Sequence, residues 1–289
     1  LGRTGSELRF DGALGTPAVL ATEYYAPLKK GFFLAPRATY LRNNRNNFED
    51  GNQLANYRVR NAGVGLDLGY GFGFRSDEIR FGYEISSLDA SVKKGESILP
   101  TLEGASGQFS LRWTHDSLDH PIIPRKGSRL EAFGRHFPHT PGTPHALSQV
   151  GGRFLAFGTP MPKHTVFGSF RGGTTFEKIA PAPQKFTLGG PLNLGSLSPE
   201  EVWGSRYMYT NLGLMRQIFD SSSFLGGRTV LALFYEGGAS WEPTQRIDFF
   251  HAGSGGLLMD SLIGPIFVGG SLGEGGKGKF YFSVGTLFY

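Results

Sequence analysis

An all-β chain of the transmembrane antiparallel β-barrel type is what this sequence predicts, from three observations. Apolar and polar residues alternate with period two in segment after segment, and no stretch of 11 or more positions carries an apolar stripe of helical spacing. The composition is rich in glycine (Gly 44 in 289 residues) and aromatics (13%) but poor in charge (18%). No run reaches the ~18 apolar residues that a membrane helix needs, whereas a tilted strand crosses with about 9–11. The most apolar run, Ser261 to Gly273, is interrupted by Gly264, Pro265, Gly269 and Gly270.

Composition also excludes whole classes. Cys 0 removes disulfide scaffolds, cysteine zinc sites and thiol nucleophiles. So many aromatics with so few charges do not make a disordered chain. A formal charge of +5 is mild for this length and gives no reason to expect nucleic acid. The opening LGRTGSELRF has no apolar core of a signal peptide.

In chain order, strands are expected at 5–13, 17–26 and 33–47, ahead of the turn Glu49-Asp50-Gly51-Asn52. The next, 56–71, sets Asn61, Gly63, Gly65, Asp67 and Gly69 against Ala62, Val64, Leu66, Leu68 and Tyr70. After Arg75-Ser76-Asp77, the strand 77–90 sets Glu78, Arg80, Gly82, Glu84 and Ser86 against Ile79, Phe81, Tyr83 and Ile85. In 104–115, Gln108, Ser110, Arg112 and Thr114 alternate with Phe109, Leu111 and Trp113. Strands 127–137 and 145–158 flank the Pro138–Pro144 turn, and 164–174 follows. The 31 residues from Thr175 to Ser205 form one long connection, of the kind that usually has a function. Beyond it come 206–218, 227–238 after Gly226-Gly227, 249–259, 262–271, and 278–289 after Gly275-Gly276, for about fourteen strands.

The two faces decide between a soluble sandwich and a membrane barrel. One parity is aliphatic and aromatic, the other Gly, Ser, Asp, Arg and Glu, as acyl chains outside and a water-lined lumen inside would require. Ile79, Phe81, Tyr83, Phe109, Leu111, Trp113, Phe282 and Phe288 are therefore assigned to lipid. Asp67, Arg80, Glu84, Arg112, Arg171 and Glu236 fall on the lumen wall, either satisfying one another or docking an inserted loop. Aromatics near strand ends (Tyr24, Tyr25, Phe32, Phe33, Trp113, Tyr207, Tyr209, Phe249, Phe250, Tyr281 and Phe282) suggest an interfacial girdle.

Enzyme-like patterns do not survive scrutiny. Gly269-Gly270-Ser271-Leu272-Gly273 matches G-x-S-x-G, yet a nucleophile elbow needs a following helix and a later histidine, and the last histidine is His251. Gly273 with Gly278-Lys279 lacks the Ser/Thr and helix of a phosphate loop. Gly69, Gly71 and Gly73 lie on a strand rather than opening a helix. His136, His139 and His145 surround a Pro-rich turn, where a solvated loop is the plain reading and a metal site the sharper one. No catalytic residue, metal or cofactor is assigned. An embedded lipid hydrolase would need a serine and a histidine within hydrogen-bond reach on the outer wall.

His115-Asp-Ser-Leu-Asp-His-Pro-Ile-Ile-Pro-Arg-Lys-Gly-Ser-Arg-Leu-Glu131 resembles the D-x-L-D-x-P-x-x-P-x-x-G-x-x-L signature of the bacterial surface antigen superfamily, matching at Asp116, Leu118, Asp119, Pro121, Pro124, Gly127 and Leu130. That superfamily comprises the sixteen-stranded barrels of BamA-like assembly factors, two-partner-secretion transporters and patatin-like autotransporters. Phe186 to Tyr207 is similar to the family's F-x-L-G-G stretch and lumen-inserted loop, placing Leu188, Gly189, Gly190, Leu194, Gly195, Ser196, Leu197, Glu201 and Gly204 in that loop. Phe234 to Trp241 is similar to the F-x-D-x-G-x-x-W strand after it, and Gly264-Pro265 with the terminal aromatic strand to the last hairpin. Where assembly factors carry Arg-Gly-Phe/Tyr at the loop tip, this chain has Gly195-Ser196-Leu197; on the wall it keeps Glu236, with Leu214-Met215 where a second acid is usual. The tip, together with Val19 to Leu28 and Tyr57-Arg58-Val59-Arg60, resembles the patatin-like subgroup more.

The resemblance implies an outer-membrane translocator barrel without bond chemistry of its own, anchoring or exporting an upstream patatin-like lipase passenger. Its implied partners are outer-membrane lipid, the passenger in the same polypeptide and the assembly machinery, to which Phe288 and Tyr289 help present the last strand. An insertase, a lipid hydrolase, a simple porin and pairing of barrels stay open. Nine strands before the loop, against the family's eleven, lead to the expectation that two strands and the passenger precede Leu1.

Overall fold

The computed structural model describes residues 5–13, 15, 17–49, 52–73, 76–95, 99–176, 179–220, 227–261 and 264–284. Phe288 and Tyr289 lie outside them. Sixteen strands are present among the described residues: β1(Glu7–Ala13), β2(Ala18–Pro27), β3(Phe32–Glu49), β4(Asn52–Phe72), β5(Asp77–Gly95), β6(Leu102–Asp116), β7(Gly127–His139), β8(Leu147–Met161), β9(His164–Thr175), β10(Phe186–Leu188), β11(Val202–Gly204), β12(Arg206–Asp220), β13(Arg228–Trp241), β14(Phe250–Met259), β15(Ile266–Gly273) and β16(Gly278–Val284). Fourteen form one sheet in the order β1 to β9, then β12 to β16, while β10 and β11 make a separate hairpin inside the long connection. Neighbours from β1 to β6 and from β12 to β16 pair antiparallel, as hairpin-linked strands of a meander must.

The chain divides into two compact units, Leu1–His115 with Glu131–Gly151 and Thr174–Lys185, and Asp116–Leu130 with Gly152–Gly173 and Phe186–Tyr289. In the first unit the period-two alternation becomes two distinct faces. Val64 (64% exposed), Leu66, Leu68, Phe81, Ile85 and Leu111 stand on the outside. Cross-strand registration aligns them in rows, Leu66↔Tyr83↔Phe109 and Leu68↔Phe81↔Leu111 among them. Soluble monomers rarely expose a contiguous apolar face of this extent. On the other face lie Phe33, Ala35, Tyr57, Asp67, Leu88 and Ala90, all buried.

The second unit shows the same outward row in Leu212, Leu233, Tyr235, Leu272, Phe280 and Phe282 (68% exposed). Its inner face corrects the picture of a uniformly water-lined lumen. Ile123, Leu155, Phe157, Phe167, Met215, Val230, Ala232, Phe234, Leu258 and Phe267 form a buried apolar cluster there. The physical reason is the 117–126 turn, whose Ile123 folds against these strands and makes β13 apolar on both faces.

The girdle also needs correcting. Phe32 and Phe33 are adjacent, so strand geometry sends only one outward; Phe33 is 1% exposed with the Arg80 guanidinium 5.0 Å from its ring centre. Tyr209 is equally buried, Tyr207 stacks on Phe186 at 4.6 Å, and Tyr281 donates to the main chain of the long connection. These four aromatics serve the interior rather than an interface.

Candidate functional site

The most elaborate polar construction is in the second unit, where residues 186–204 dock on the inner face of the sheet. β10 and β11 pair at the base of this loop, with Thr187 opposite Trp203. The segment between them braces itself: the Gly189 amide donates to Asn193 O (2.7 Å), Gly190 to Leu197 O (3.2 Å) and Leu197 to Leu194 O (3.0 Å). Leu188, Leu194 and Leu197 are buried with Tyr209 in a small apolar cluster. Leu192 (φ 56), Leu194 (φ 67) and Glu200 (φ 55) all adopt the left-handed conformation, which costs a non-glycine residue on the order of 1–3 kcal/mol and persists only under strong surrounding contacts.

Those contacts converge on Glu236, which is fully buried. One carboxylate oxygen accepts from the Leu194 amide (2.9 Å) and the Tyr209 hydroxyl (2.7 Å). The other accepts from the Gly195 amide (3.2 Å) and from Ser254 Oγ. Four donors thus surround one side chain, two on each carboxyl oxygen. Consecutive amides around a left-handed residue form a small anion-binding concavity, and here the carboxyl group comes from the barrel wall. At Leu194 and Gly195 the loop thus meets this carboxyl group with main-chain donors rather than with a cationic side chain. Gly195 must be glycine because a Cβ would sit 2.7 Å from Ser271 Cβ.

Further groups hold the same loop. Arg171 lies 4.2 Å over the Tyr209 ring and donates to Asn193 Oδ1 at 2.9 Å. Tyr209 also donates to Leu192 O (3.0 Å), and Tyr281 to Gly195 O and Leu197 O. Lys279 reaches Ser198 Oγ at 2.6 Å, while Glu201 accepts from the Ser198 amide at 2.6 Å. Ser196 is buried beside Gly273, and Gly204 ends β11 against Trp241. The loop residues named from sequence are therefore gathered here with Arg171 and Glu236. Asn193, Tyr209, Ser254, Lys279 and Tyr281 were not foreseen in this role.

The other four wall residues lie in the first unit. Asp67, fully buried, bonds to Arg37, which also donates to Glu84 at 3.1 and 3.2 Å, and Arg112 approaches Asp67 at 3.5 Å. Arg80 separately pairs with Glu23 (2.8 Å) and Glu78. The hub, Arg37, was missed from sequence because the opposite parity of β3 carries Pro36 and Ala38, which blunt the alternation.

The signature turn belongs to the second unit. Asp116 Oδ1 accepts from the Leu118 amide (3.0 Å), and Asp119 Oδ1 from the Arg125 and Lys126 amides (2.8 and 3.1 Å). Pro121 and Pro124 bracket Ile122 and Ile123, whose amides both donate to His120 Nδ1 at 3.2 Å. Arg228 donates to Ile123 O at 3.0 Å. Gly127 has φ 100, and a Cβ there would collide with the Ser117 carbonyl. Partial desolvation works to raise the Asp119 carboxyl, but the Arg125 and Lys126 amides outweigh it and hold the group below the usual carboxylate range. Its contribution to stability is thus complete above the ordinary carboxylate pKa and is lost as pH falls through the lowered folded value. Asp119→Ala is expected to cost about 1–2 kcal/mol at neutral pH, with the exposed turn favouring the low end. It should also flatten the acid-side decline of the thermal midpoint measured in detergent from neutral pH downward.

Among the residues assigned to lipid, Ile79, Phe81, Phe109, Leu111, Trp113 and Phe282 are exposed on the outer face, and Tyr83 is half-covered by the Phe109 ring at 4.5 Å. His136 lies within β7 rather than in a loop, its Nδ1 3.0 Å from Ser148 Oγ. Phe81, Phe109, Leu111, Val150 and Phe176 line an apolar groove of about 250 Å³ beside this pair. A serine–histidine contact is only part of a nucleophilic apparatus, which also needs a group orienting the base and donors for an oxyanion.

No curated relative matches the sequence. Among solved structures, BamA from Haemophilus ducreyi lacking POTRA domains 1–3 is similar at a TM-score of 0.74 and 15% identity over 97% of this chain. CdiB from Acinetobacter baumannii is similar at 0.58 and 12% over 89%. The chain spans 63% of the first structure and 46% of the second. Residues 2–288 match the Omp85 superfamily domain, and the chain accordingly belongs to the Omp85 superfamily of integral outer-membrane β-barrels.

Proposed function

We propose that this barrel moves or anchors polypeptide at the outer membrane, with the 189–201 segment as a gating plug and an upstream patatin-like passenger as cargo. The observation that carries the reading is the four-donor capture of Glu236, which fixes a long connection onto the inner face instead of leaving it in solvent. The tip Leu192-Asn-Leu-Gly-Ser-Leu, without an arginine, favours the patatin-like subgroup over an insertase. Residues of the wall bind and release the loop; none performs bond chemistry in this scheme.

Deleting residues 191–203 tests the plug. Single-channel recording should show a conductance step several times that of the intact barrel. An epitope placed ahead of Leu1 should become accessible on intact cells with the intact protein. Unchanged conductance from a normally folded deletion variant would refute the plug, and an epitope that stays inaccessible would refute export.

A further inference from the structure

The outer face of the first unit changes character abruptly along β3, β4 and β5. From one end its outward residues are apolar: Phe32, Leu34, Pro36, Ala38 and Tyr40 on β3, Tyr70 back to Ala62 on β4, and Ile79 to Ile85 on β5. The belts on β3 and β4 match the ~9–11 residues that cross a bilayer, and that on β5 is slightly shorter. The strands are 18, 21 and 19 residues long, so all three continue well past the hydrocarbon.

The first outward rungs beyond the belt are cationic. Arg42 is registered directly opposite Arg60, and Arg60 opposite Asp89, with its guanidinium 3.8 Å from that carboxylate. On the next rung Arg58 stands opposite Asn44 and donates to its Oδ1 at 3.1 Å. Lys93, exposed beyond the spanning part of β5, is held below its usual pKa first by Arg58, and also by Lys94, Arg42 and Arg60. Like charges directly opposite on adjacent strands are destabilising; the acids of this rung are Asp89 and, one strand further from the arginines, Glu103, registered opposite Asp89 on β6. Immediately below lies the rung Tyr40↔Ala62↔Ser87, where Ala62 and Ser87 leave the wall low. The short connections from β2 to β3 and from β4 to β5 lie at the opposite end of these strands, which marks that end as periplasmic and the cationic rungs as facing the outer leaflet.

We infer that Arg42, Arg58, Arg60 and Lys93 form a docking site for a phosphate-bearing lipid of the outer leaflet. Arginine forks take phosphate oxygens bidentately, and the small residues beneath admit the first carbons of the acyl chains. The bound headgroup adds negative charge on the Arg42 and Arg58 side of the cluster, away from the Arg60–Asp89 pair.

Native mass spectrometry of the full chain in detergent, with dioleoyl phosphatidic acid, dioleoyl phosphatidylcholine or inorganic phosphate added separately, tests the site. Wild type should retain phosphatidic acid at least ~10-fold over phosphatidylcholine. Each cation removed should weaken retention roughly five-fold, so Arg42→Gln/Arg60→Gln/Lys93→Gln should lose about 100-fold. Asp89→Asn should strengthen retention several-fold, a gain that misfolding cannot produce. Equal retention of the two lipids, a triple variant that binds like wild type, or inorganic phosphate binding as tightly as phosphatidic acid would each overturn the lipid site.

Discussion

Glu236→Leu is expected to undock the loop at a cost of about 3–5 kcal/mol, because the Leu194 and Gly195 amides lose their acceptor in a buried site and the Tyr209 hydroxyl keeps only Leu192 O. Leucine fills similar space but accepts nothing, and the left-handed turn at Leu194 is then held only by its apolar packing and the Leu197 amide. About 4 kcal/mol is a thousand-fold change in an equilibrium constant, enough to open the plug proposed above. Two measurements report it: protease cleavage between residues 189 and 201 should become rapid, and pore conductance should rise towards that of the deletion variant. The thermal midpoint of the sheet itself should hardly move, since the fourteen-strand ladder is untouched. Glu236→Gln should be intermediate, because its amide group must face donors with a donor.

Arg37→Met should have the largest effect on the sheet. It strips the buried Asp67 of its closest partner and Glu84 of two hydrogen bonds, leaving Arg112 at 3.5 Å as the remaining counter-charge. Removing one member of a buried ion cluster costs about 3–5 kcal/mol. At about 2–4 °C per kcal/mol for a protein of this size, the unfolding midpoint in micelles should drop by ~10 °C. Arg37→Met combined with Asp67→Asn should recover much of that loss, because the uncompensated charge is gone. If the double variant were as unstable as the single one, packing around the guanidinium rather than charge would be its main contribution.

Strand positions and faces were readable because a bilayer-facing wall enforces strict alternation, so Val64, Leu66 and Leu68 announce themselves against Gly63, Gly65 and Asp67. The Asp119 turn was readable too, since its side chain does the work that defines it. Reading failed where one side of the contrast was weak or the chemistry lay in the backbone. Arg37 sits between Pro36 and Ala38, and β13 is apolar on both faces because Ile123 arrives from a distant turn. Phe33, Tyr207, Tyr209 and Tyr281 looked interfacial by composition, yet each points inward to an arginine, a ring or a carbonyl. The amides that seize Glu236 leave no trace in a residue list at all.

That last point has an evolutionary corollary. A latch that grips peptide groups asks for no charged side chain at position 194, only a chain that bends there and an apolar group that fills the Leu188–Leu197–Tyr209 cluster. Substitution at the tip is therefore limited by packing and backbone shape rather than by a required cation, and the loop's hold is shared between one wall carboxylate and the Arg171 and Tyr281 contacts beside it.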